Sequence, residues 1–527
     1  MKKSHWNGRG LNRRDILAVG LGMAGSLARL AAAPPQAGAG RGRYSDYPFR
    51  LGVASGDPTP EGCVLWTRLA PEPLTANGGM AAEDVRVEWQ VAADEGFNEV
   101  AASGEIAAPH ALAHSVHVEV SGLLPHRWYF YRFRAGGEIS PVGKFRTAPA
   151  AADLPGRLRF AFASCQHFET GLFTAYEHMV REDLDLVVHL GDYIYEGPAR
   201  TGQVRAHVGD EITTLADYRV RHALYKSDPY LQKVHAAFPW IVTWDDHEVD
   251  NNYADRFSEE QDVSADELLT RRAHAYQAYY ENMPIGSATR PRGADMQLYR
   301  GCEYGRLASF HVLDTRQYRT DQPCGDRTSA PCEGVFDAQA TFLGAAQESW
   351  LSSRLSQSQA TWDVLAQQMM VARVDRRAGD EIAYSMDQWS GYDAARKRFV
   401  ERLSKPDVRN PVILTGDIHS NWVNDIKVDF DREESPVVAT EFVGTSITSA
   451  GDGSQNLEYA ESVQLDNPFV RFYNGQRGYV SCTVTPQTWQ ADYQVVEYVS
   501  RPGAPLVTRA SFRVDEGQPG AKKETQS

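Results

Sequence analysis

Four apolar runs in this chain are each followed at once by a side chain that can bind a metal ion. The clearest is "LDLVVHLGD", in which the run 186–190 ends at Gly191 and Asp192. A short apolar run bounded by a glycine is typical of a strand buried on both faces. Taken alone, Asp192 has an ordinary interpretation as a helix N-cap. The constraint on the fold comes from the repetition of this pattern along the chain.

The other three runs end in the same way. They are "RLRFAFAS", "PWIVTW" and "NPVILT", which lead respectively into Cys165, Asp245-Asp246-His247-Glu248 and Gly416-Asp417-Ile418-His419. Strand ends in an open α/β sheet meet at one edge, so we expect these groups to lie close together. Carboxylates crowded into a partly dry cleft repel one another unless cations neutralise them. The pattern therefore predicts a metal site at the edge of a sheet.

The predicted ligands are of two chemical kinds. Hard oxygen ligands come from Asp192, Asp246 and Asp417, and a thiolate, a phenolate and an imidazole come from Cys165, Tyr195 and His419. Oxygen ligands suit calcium, magnesium or manganese. A phenolate favours a hard, highly charged ion such as ferric iron. Two kinds of ligand predict two kinds of metal that share a bridging carboxylate.

The rest of the sequence predicts two domains. Residues 46–148 contain short runs with period-two alternation, such as "VRVEWQVA" and "HSVHVEV", which predict an N-terminal β-sandwich. Leu124-Pro125 followed by Tyr129 resembles the tyrosine corner of a fibronectin type III sandwich. From residue 157 to 515 strands alternate with helical patterns, which is typical of an α/β core.

The two ends of the chain are predicted to lie outside these domains. Residues 1–40 combine a basic start, the pair Arg13-Arg14 and a short Gly/Ala-rich apolar stretch, which is the layout of a twin-arginine export signal. The stretch contains Arg29 and is too short for a permanent membrane span. We expect the twin-arginine export machinery to carry the folded protein to the periplasm or the cell exterior. Residues 516–527 are predicted to be a polar tail.

Charge and cysteine content exclude other classes of protein. The formal net charge is −15, and no basic block offsets it, which argues against a nucleic-acid-binding patch. Six cysteines in 527 residues are too few for a disulfide scaffold. Cys324 and Cys332 flank the polar loop "GDRTSAP" and are predicted to form a local disulfide in an oxidising compartment.

The motifs "ASCQ", "GDYIYEG", "WDDHEVDNN" and "LTGDIHSNW", in this order, resemble those of the PhoD-like alkaline phosphatases, a branch of the binuclear metallophosphoesterases. The resemblance spans essentially the whole mature chain. It implies an α+β protein, with a fibronectin/Ig-like β-sandwich followed by a catalytic β-sandwich flanked by α-helices. It also implies hydrolysis of small or polymeric phosphate mono- or diesters by a metal-activated hydroxide. The implied cofactors are Fe³⁺ and Ca²⁺, with another divalent metal as an alternative at the oxygen-rich site.

The resemblance also assigns roles to single residues. The implied iron ligands are Cys165, Asp192, Tyr195 and His419, and the implied ligands of the oxygen-rich site are Asp192, Asp246 and Asp417. His247 takes the position of the histidine that contacts the phosphate, and Asp192 that of the bridging carboxylate. Asn252 is expected to complete the calcium shell or to bind phosphate. Arg316 either clamps phosphate, as an arginine fork can, or forms a structural ion pair with Asp314.

Three other functions stay open at this point. A purple acid phosphatase also pairs a sandwich with G-D-x-x-Y, but Cys165 and Asp417 depart from the aspartate and histidine that those enzymes have there. A phosphodiesterase of the phospholipase D type would act on lipid or cell-wall phosphodiesters. A protein of another class would bind the cell wall without catalysis and would keep its metals for structure. Turnover of nitrophenyl phosphate or its bis-ester separates the enzymes from the binding protein.

Overall fold

The computed structural model describes residues 44–377 and 379–524. The export signal predicted for residues 1–40 lies outside these residues. The described strands are β1 (Val53–Thr59), β2 (Gly62–Arg68), β3 (Val85–Ala92), β4 (Val100–Ala108), β5 (Ser115–Val120), β6 (Trp128–Ala135), β7 (Glu138–Ile139), β8 (Gly143–Arg146), β9 (Leu158–Ala163), β10 (Leu186–His189), β11 (Pro239–Val242), β12 (Arg300–Tyr304), β13 (Ala308–Val312), β14 (Thr328–Ser329), β15 (Trp362–Ala366), β16 (Tyr384–Ser385), β17 (Val412–Thr415), β18 (Asn421–Lys427), β19 (Val437–Val443), β20 (Val470–Asn474), β21 (Arg477–Val484), β22 (Thr488–Val496), β23 (Leu506–Asp515) and β24 (Gln518–Glu524).

The described helices are α1 (Thr174–Met179), α2 (Leu215–Lys226), α3 (Pro229–Ala237), α4 (Ala265–Asn282), α5 (Gly344–Gln357), α6 (Asp393–Leu403) and α7 (Leu457–Asp466). A search of the described residues finds no helix with the length and apolar character to cross a membrane.

Two large sheets form the part of the chain that was predicted to be catalytic. The first has ten strands in the order β24-β23-β22-β21-β9-β10-β11-β1-β2-β5, and the second has seven in the order β12-β13-β15-β17-β19-β18-β20. In the first sheet β9, β10 and β11 are parallel neighbours. In the second β13, β15, β17 and β19 run parallel. Because parallel strands share one direction, the chain leaves them at the same edge of each sheet.

The alternation of side chains along each strand explains the layers. In β9, Phe160 and Phe162 join the core between the two sheets, whereas Ala161 and Ala163 pack with helical residues on the outer face. Helices α1 to α4 cover the outer face of the ten-stranded sheet, and α5 and α6 cover that of the seven-stranded sheet. The predicted β-sandwich flanked by α-helices is confirmed.

The N-terminal segment supplies strands to two sheets. Strands β3, β4, β6, β7 and β8 form a five-stranded sheet, whereas β1, β2 and β5 extend the ten-stranded sheet. Strand β1 pairs in parallel with β11, so that Ser55 aligns with Pro239. The backbone amide of Leu124 donates to the Tyr129 hydroxyl at 3.0 Å, which is the tyrosine-corner contact. Because three of its strands continue the catalytic sheet, the independence of a domain at residues 46–148 stays a prediction.

The predicted polar tail forms an edge strand instead. Strand β24, Gln518–Glu524, pairs antiparallel with β23. The amides of Gly520 and Ala521 donate to Thr440 Oγ1 and Asp425 Oδ1, both at 3.1 Å, and so tie the strand to the other sheet. Lysines and other polar residues are common on edge strands, because they discourage pairing with a further chain. Polar composition alone therefore did not indicate a tail.

Candidate metal centre

The predicted ligands follow the ends of four parallel strands. Cys165 comes after β9, Asp192 after β10, Asp245 and Asp246 after β11, and Asp417 after β17. Strands β9, β10 and β11 are adjacent in one sheet, and β17 lies in the other. The turns after these strands bend the chain over the shared edge of the sandwich.

Left-handed backbone marks these turns. The φ angles of Cys165, Asp192, Asp417 and His419 are 59°, 55°, 63° and 53°. In this region a non-glycine residue costs roughly 1–2 kcal/mol, because its Cβ approaches a carbonyl oxygen. Such strain persists where the surrounding structure enforces it, which is commonly at a functional site. The strain therefore agrees with the choice of these strand ends as the site.

Potential metal ligands form one continuous cluster in the described part of the chain. Donor atoms lie within 4.8 Å of one another in each of three groups, namely Cys165/Asp192/His419, Asp192/Asp246/His247 and Asp245/Asp246/Asp417. Asp192 belongs to the first and second groups, and Asp246 to the second and third. A carboxylate shared between groups is what a bridge between two ions needs. Asp192, the predicted bridging carboxylate, and Asp246 both hold a shared position of this kind.

Tyr195 joins the first group through its hydroxyl. The Tyr195 Oη donates to Asp192 Oδ2 at 2.7 Å and lies 3.2 Å from His419 Nε2. It also accepts a hydrogen bond from Ser449 Oγ at 2.6 Å. The structure therefore brings the phenol together with the aspartate and histidine with which it was predicted to act.

When no cation is present, burial raises the pKa of Asp192, Asp245 and Asp417, whereas at Asp246 the neighbouring Arg316 and His247 outweigh burial and lower the pKa. Burial raises the pKa of Asp192 well above its ordinary value, against the pull of His247, and Asp246 raises that pKa further. Burial and the neighbouring Asp192 also raise the pKa of the Cys165 thiol and of the Tyr195 phenol. A bound cation favours the charged form of each group and so replaces the proton. This is the electrostatic character of a metal site.

The hydrogen bonds provide a second test of whether these residues suit a bound metal ion. Within the described residues, three buried carboxylate oxygens of the cluster have no hydrogen-bond partner, namely Asp192 Oδ1, Asp245 Oδ2 and Asp246 Oδ1. An unpaired buried oxygen is costly, so an ion that accepts its lone pairs accounts for all three. Burial also lowers the pKa of His419 to about 3, which keeps its imidazole neutral, the form that binds metals. The residues therefore fit bound metal ions.

Arg316 lies behind the carboxylates and is fully buried. Its guanidinium approaches Asp245 at 2.6 Å, Asp387 at 3.0 Å, Asp246 at 3.5 Å and Asp417 at 3.6 Å. Asp314, the partner considered from the sequence, instead accepts a hydrogen bond from the backbone amide of Arg316 at 3.0 Å. These contacts favour compensation of buried negative charge over contact with a substrate.

His247 lies at the open side of the cluster. Its side chain is 20% exposed, and its Nδ1 lies 2.7 Å from Glu196 Oε2. Its ring packs against that of Tyr195 with centroids 4.1 Å apart. Burial opposes the charged form, but Glu196, Asp246 and Asp192 together raise the pKa of His247 well above its ordinary value. The His247 imidazole is therefore held from behind by Glu196 and accessible from outside.

Asn252 connects the cluster to the loop that contains the two predicted disulfide cysteines. Its backbone amide donates to Asp246 Oδ2 at 2.7 Å, and its Nδ2 donates to Asp326 Oδ2 at 2.8 Å. Cys324 and Cys332 are joined by a disulfide that closes the loop around Asp326. Asn252 therefore orients a carboxylate of the cluster through its backbone, while its side chain is held by the loop.

Sequence reasoning assigned no individual role to four acidic residues of the site. Asp245 lies in the third ligand group, Glu196 contacts His247, Asp387 pairs with Arg316, and Glu248 binds backbone amides of the turns. Asp245, Glu196 and Glu248 stand inside the quoted motifs, so adjacency to a predicted ligand was a usable signal. Asp387 follows no apolar strand, and nothing in the sequence near it indicates its role.

Comparisons with known proteins identify relatives of this chain. Residues 160–493 match the sequence profile of the PhoD-like phosphatases, and residues 33–149 match the profile of their N-terminal domain. Alkaline phosphatase D of Bacillus subtilis (strain 168) is 51% identical over 485 residues, which cover 91% of this chain and 83% of that protein. A solved structure described as PhoD is 50% identical with a TM-score of 0.89, and the match covers 92% of this chain and 94% of that one.

Proposed function

Because this chain belongs to the PhoD-like phosphatase family and is a metal-dependent phosphohydrolase, we propose that the cluster at its strand ends is the active site. One observation supports the proposal most strongly. Three buried carboxylate oxygens without a hydrogen-bond partner in the described residues lie in one ligand cluster with a partly exposed histidine. Carboxylates of this kind hold cations, and an imidazole N–H donor at their open side is suited to a phosphate ester.

We propose two ligand sets for the metals. Cys165, Asp192, Tyr195 and His419 hold Fe³⁺, and Asp192, Asp246 and Asp417 hold Ca²⁺ or another divalent ion at the oxygen-rich site. Bound cations of this kind acidify water and offset the charge of a phosphoryl group. The mixed donors of the first set and the all-oxygen donors of the second support this division.

The remaining residues position the substrate and balance the charge. His247 donates a hydrogen bond to a phosphoryl oxygen, and Glu196 fixes the orientation of the imidazole through its Nδ1. Arg316 offsets the charge of the aspartates from behind, so we assign it no contact with phosphate. Asn252 is a positioning residue, since its backbone amide orients Asp246.

Turnover of nitrophenyl phosphate and bis-nitrophenyl phosphate tests this function. We expect the metal-loaded protein to hydrolyse at least one of them, and we expect His247→Gln to lower kcat/KM about a hundredfold, as loss of one transition-state donor does. His110→Gln is the matched control, because His110 is an exposed histidine that pairs with Asp84. Turnover of neither ester at any pH would instead support the non-catalytic wall-binding protein.

We also propose that the protein is exported through the twin-arginine route. The signal with Arg13 and Arg14 lies outside the described residues, so its sequence alone supports this proposal. Replacing both arginines by lysine is expected to leave the enzyme in the cytoplasm, because a receptor recognises the pair. Unchanged export of the double variant would contradict the assignment.

A further inference from the structure

A cleft of about 410 Å³ is lined in part by His419, one of the proposed iron ligands. Its lining also includes Arg376, Trp422, Tyr459, Tyr473 and Arg477. Cavities of roughly 300–1,000 Å³ accommodate whole small-molecule ligands. The cleft is therefore much larger than a single phosphoryl group requires, and it has room for a part of the substrate beyond the hydrolysed ester.

Aromatic rings form one wall of this cleft. The Tyr473 ring lies 4.7 Å from that of Trp422 and 4.9 Å from that of Tyr459, both in edge-to-face contact. Trp422 is itself buried, and its Nε1 donates to Ser420 Oγ at 2.8 Å. Packed rings keep their positions and offer both flat faces and hydroxyl groups, which suits a sugar or polyol unit.

The two arginines of the cleft differ in their contacts. Arg477 is buried, and its guanidinium donates to the backbone carbonyl oxygens of His419 and Gly451 and to Ser446 Oγ. Arg477 therefore holds the turns around the proposed iron site. The guanidinium of Arg376 lies 5.7 Å from the centre of the Trp422 ring, and within the described residues it forms no ion pair.

The charge balance of the chain does not by itself explain why Arg376 has no ion pair among the described residues. The chain carries 69 Asp and Glu residues against 54 Lys and Arg residues, so carboxylate partners are abundant. The next arginine along the chain, Arg377, pairs with Glu381. The carboxylate in the cleft lining, Asp452, is occupied elsewhere, since it accepts hydrogen bonds from the amides of Val499 and Ser500 at 2.6 and 2.9 Å. A half-buried guanidinium is thus left facing a cleft beside the active site.

We propose that this cleft is a subsite for a second phosphate group of the substrate, and that Arg376 binds that phosphate. The planar guanidinium fork matches the oxygens of a phosphate, and the tyrosines contact the sugar or polyol that links it to the hydrolysed ester. The inference rests on the proposed function, because the linked arm must start at the ester held by the metal cluster. If the subsite is correct, the preferred substrate is an ester whose linked sugar or polyol carries a further phosphate.

A matched series of chromogenic substrates tests the subsite. Each is a nitrophenyl alkyl phosphodiester whose alkyl arm, of increasing length, ends either in a phosphate or in a hydroxyl group. The measured quantity is the ratio of kcat/KM for the phosphate-ended ester to that for the hydroxyl-ended ester of equal length. We expect this ratio to reach about ten at one arm length in the wild-type metalloenzyme. We expect Arg376→Gln to lower it to about one, and Arg376→Lys to retain part of it.

Arg377→Gln is the matched control, because Arg377 is exposed and paired with Glu381. It should keep the wild-type ratio. A ratio near one at every arm length in the wild type, or a preference for phosphate that survives Arg376→Gln, would overturn the subsite. Either result would leave the proposed function intact, because the esters would still be hydrolysed. Failure of the proposed function would look different, since the wild type would then hydrolyse neither series.

Discussion

The side chain of Glu248 accepts a hydrogen bond from the backbone amide of Asp192, with 3.1 Å between Oε2 and the amide nitrogen. The same oxygen accepts from the amide of Asp245 at 2.9 Å, and Oε1 accepts from the amide of Tyr193 at 2.6 Å. One buried carboxylate therefore ties together the turns that follow β10 and β11. The strained backbone of Asp192 is held in place by this contact.

Glu248→Ala is expected to destabilise the protein and to weaken the metal site. The substitution leaves three buried amides without their acceptor, at about 1 kcal/mol or more each, so we expect the free energy of unfolding to fall by about 3 kcal/mol. Urea denaturation and metal content measure the two effects. Glu259→Ala is the control, since Glu259 contacts only the side chain of Asn251 at a more exposed position. Unchanged stability of Glu248→Ala would refute the role of this carboxylate.

Lys226 is expected to make the stability of the protein depend on pH. Burial lowers the pKa of Lys226 to about 7, and in the described residues the ammonium has aromatic neighbours, Trp66 at 4.3 Å and Tyr193 at 5.3 Å, but no carboxylate partner. The unfolded chain keeps an ordinary lysine pKa of about 10.4. Between pH 7 and about 10.4 the unfolded state therefore binds more protons than the folded state, and the free energy of unfolding rises with pH.

Lys226→Met is the substitution that isolates this effect. We expect the free energy of unfolding of the variant to exceed that of the wild type by several kcal/mol at pH 7, since each pKa unit corresponds to about 1.4 kcal/mol. This difference should disappear near pH 10.5. The cation–π contacts offset part of the difference. Urea midpoints at the two pH values measure it, with the exposed Lys233→Met as control. A difference in the free energy of unfolding that is the same at both pH values would contradict the lowered pKa of Lys226.

Loss of the disulfide is expected to slow catalysis, because it loosens the contact between Asp326 and Asn252. Cys324→Ser with Cys332→Ser loosens the loop whose Asp326 holds Asn252, so we expect kcat to fall several-fold with little change in KM. Asp326→Ala should have a similar effect. If both act through the same contact, the combined variant should be no slower than Asp326→Ala alone. Additive losses would show that the disulfide acts elsewhere.

Thiol labelling of the unfolded, unreduced wild type should modify neither Cys324 nor Cys332.

The strand ends could be predicted because they depend on local sequence. The strand β10 is buried throughout and apolar apart from His189, as suits a strand between two layers, and Asp192 follows three residues after its end. Strand β17 is likewise buried throughout, and Asp417 follows shortly after its end. Convergence at one edge then follows from parallel strand direction alone. For this reason the ligand cluster could be predicted from the sequence.

The supporting contacts could not be predicted, because they join distant parts of the chain. Glu196 and His247 meet across 51 positions, and Arg316 and Asp387 across 71. The pairing of β1 with β11 likewise depends on how the N-terminal strands pack, since alternation in β1 is compatible with either sheet. Local patterns identify which residues are buried or polar, but not which partner each one finds.

Calcium removal is expected to separate the two ligand sets. A chelator that extracts calcium should abolish activity while leaving most of the visible colour expected of ferric iron, because Asp246 and Asp417 do not belong to the ligand group of Cys165, Asp192 and His419. Added calcium should restore turnover. Full activity after calcium is shown to be absent would contradict the proposed role of the oxygen-rich site.

The mixed-metal centre itself is tested most directly by the visible absorption spectrum, recorded with the iron content, of the wild type and of Cys165→Ser. Thiolate and phenolate groups donate charge to ferric iron and absorb visible light, so the wild type should be coloured and contain iron. The Cys165→Ser variant should lose iron, colour and nearly all activity while it stays folded, because the change removes a ligand and little volume. A colourless, iron-free wild type with full activity would contradict the account, as would a Cys165→Ser enzyme with normal turnover.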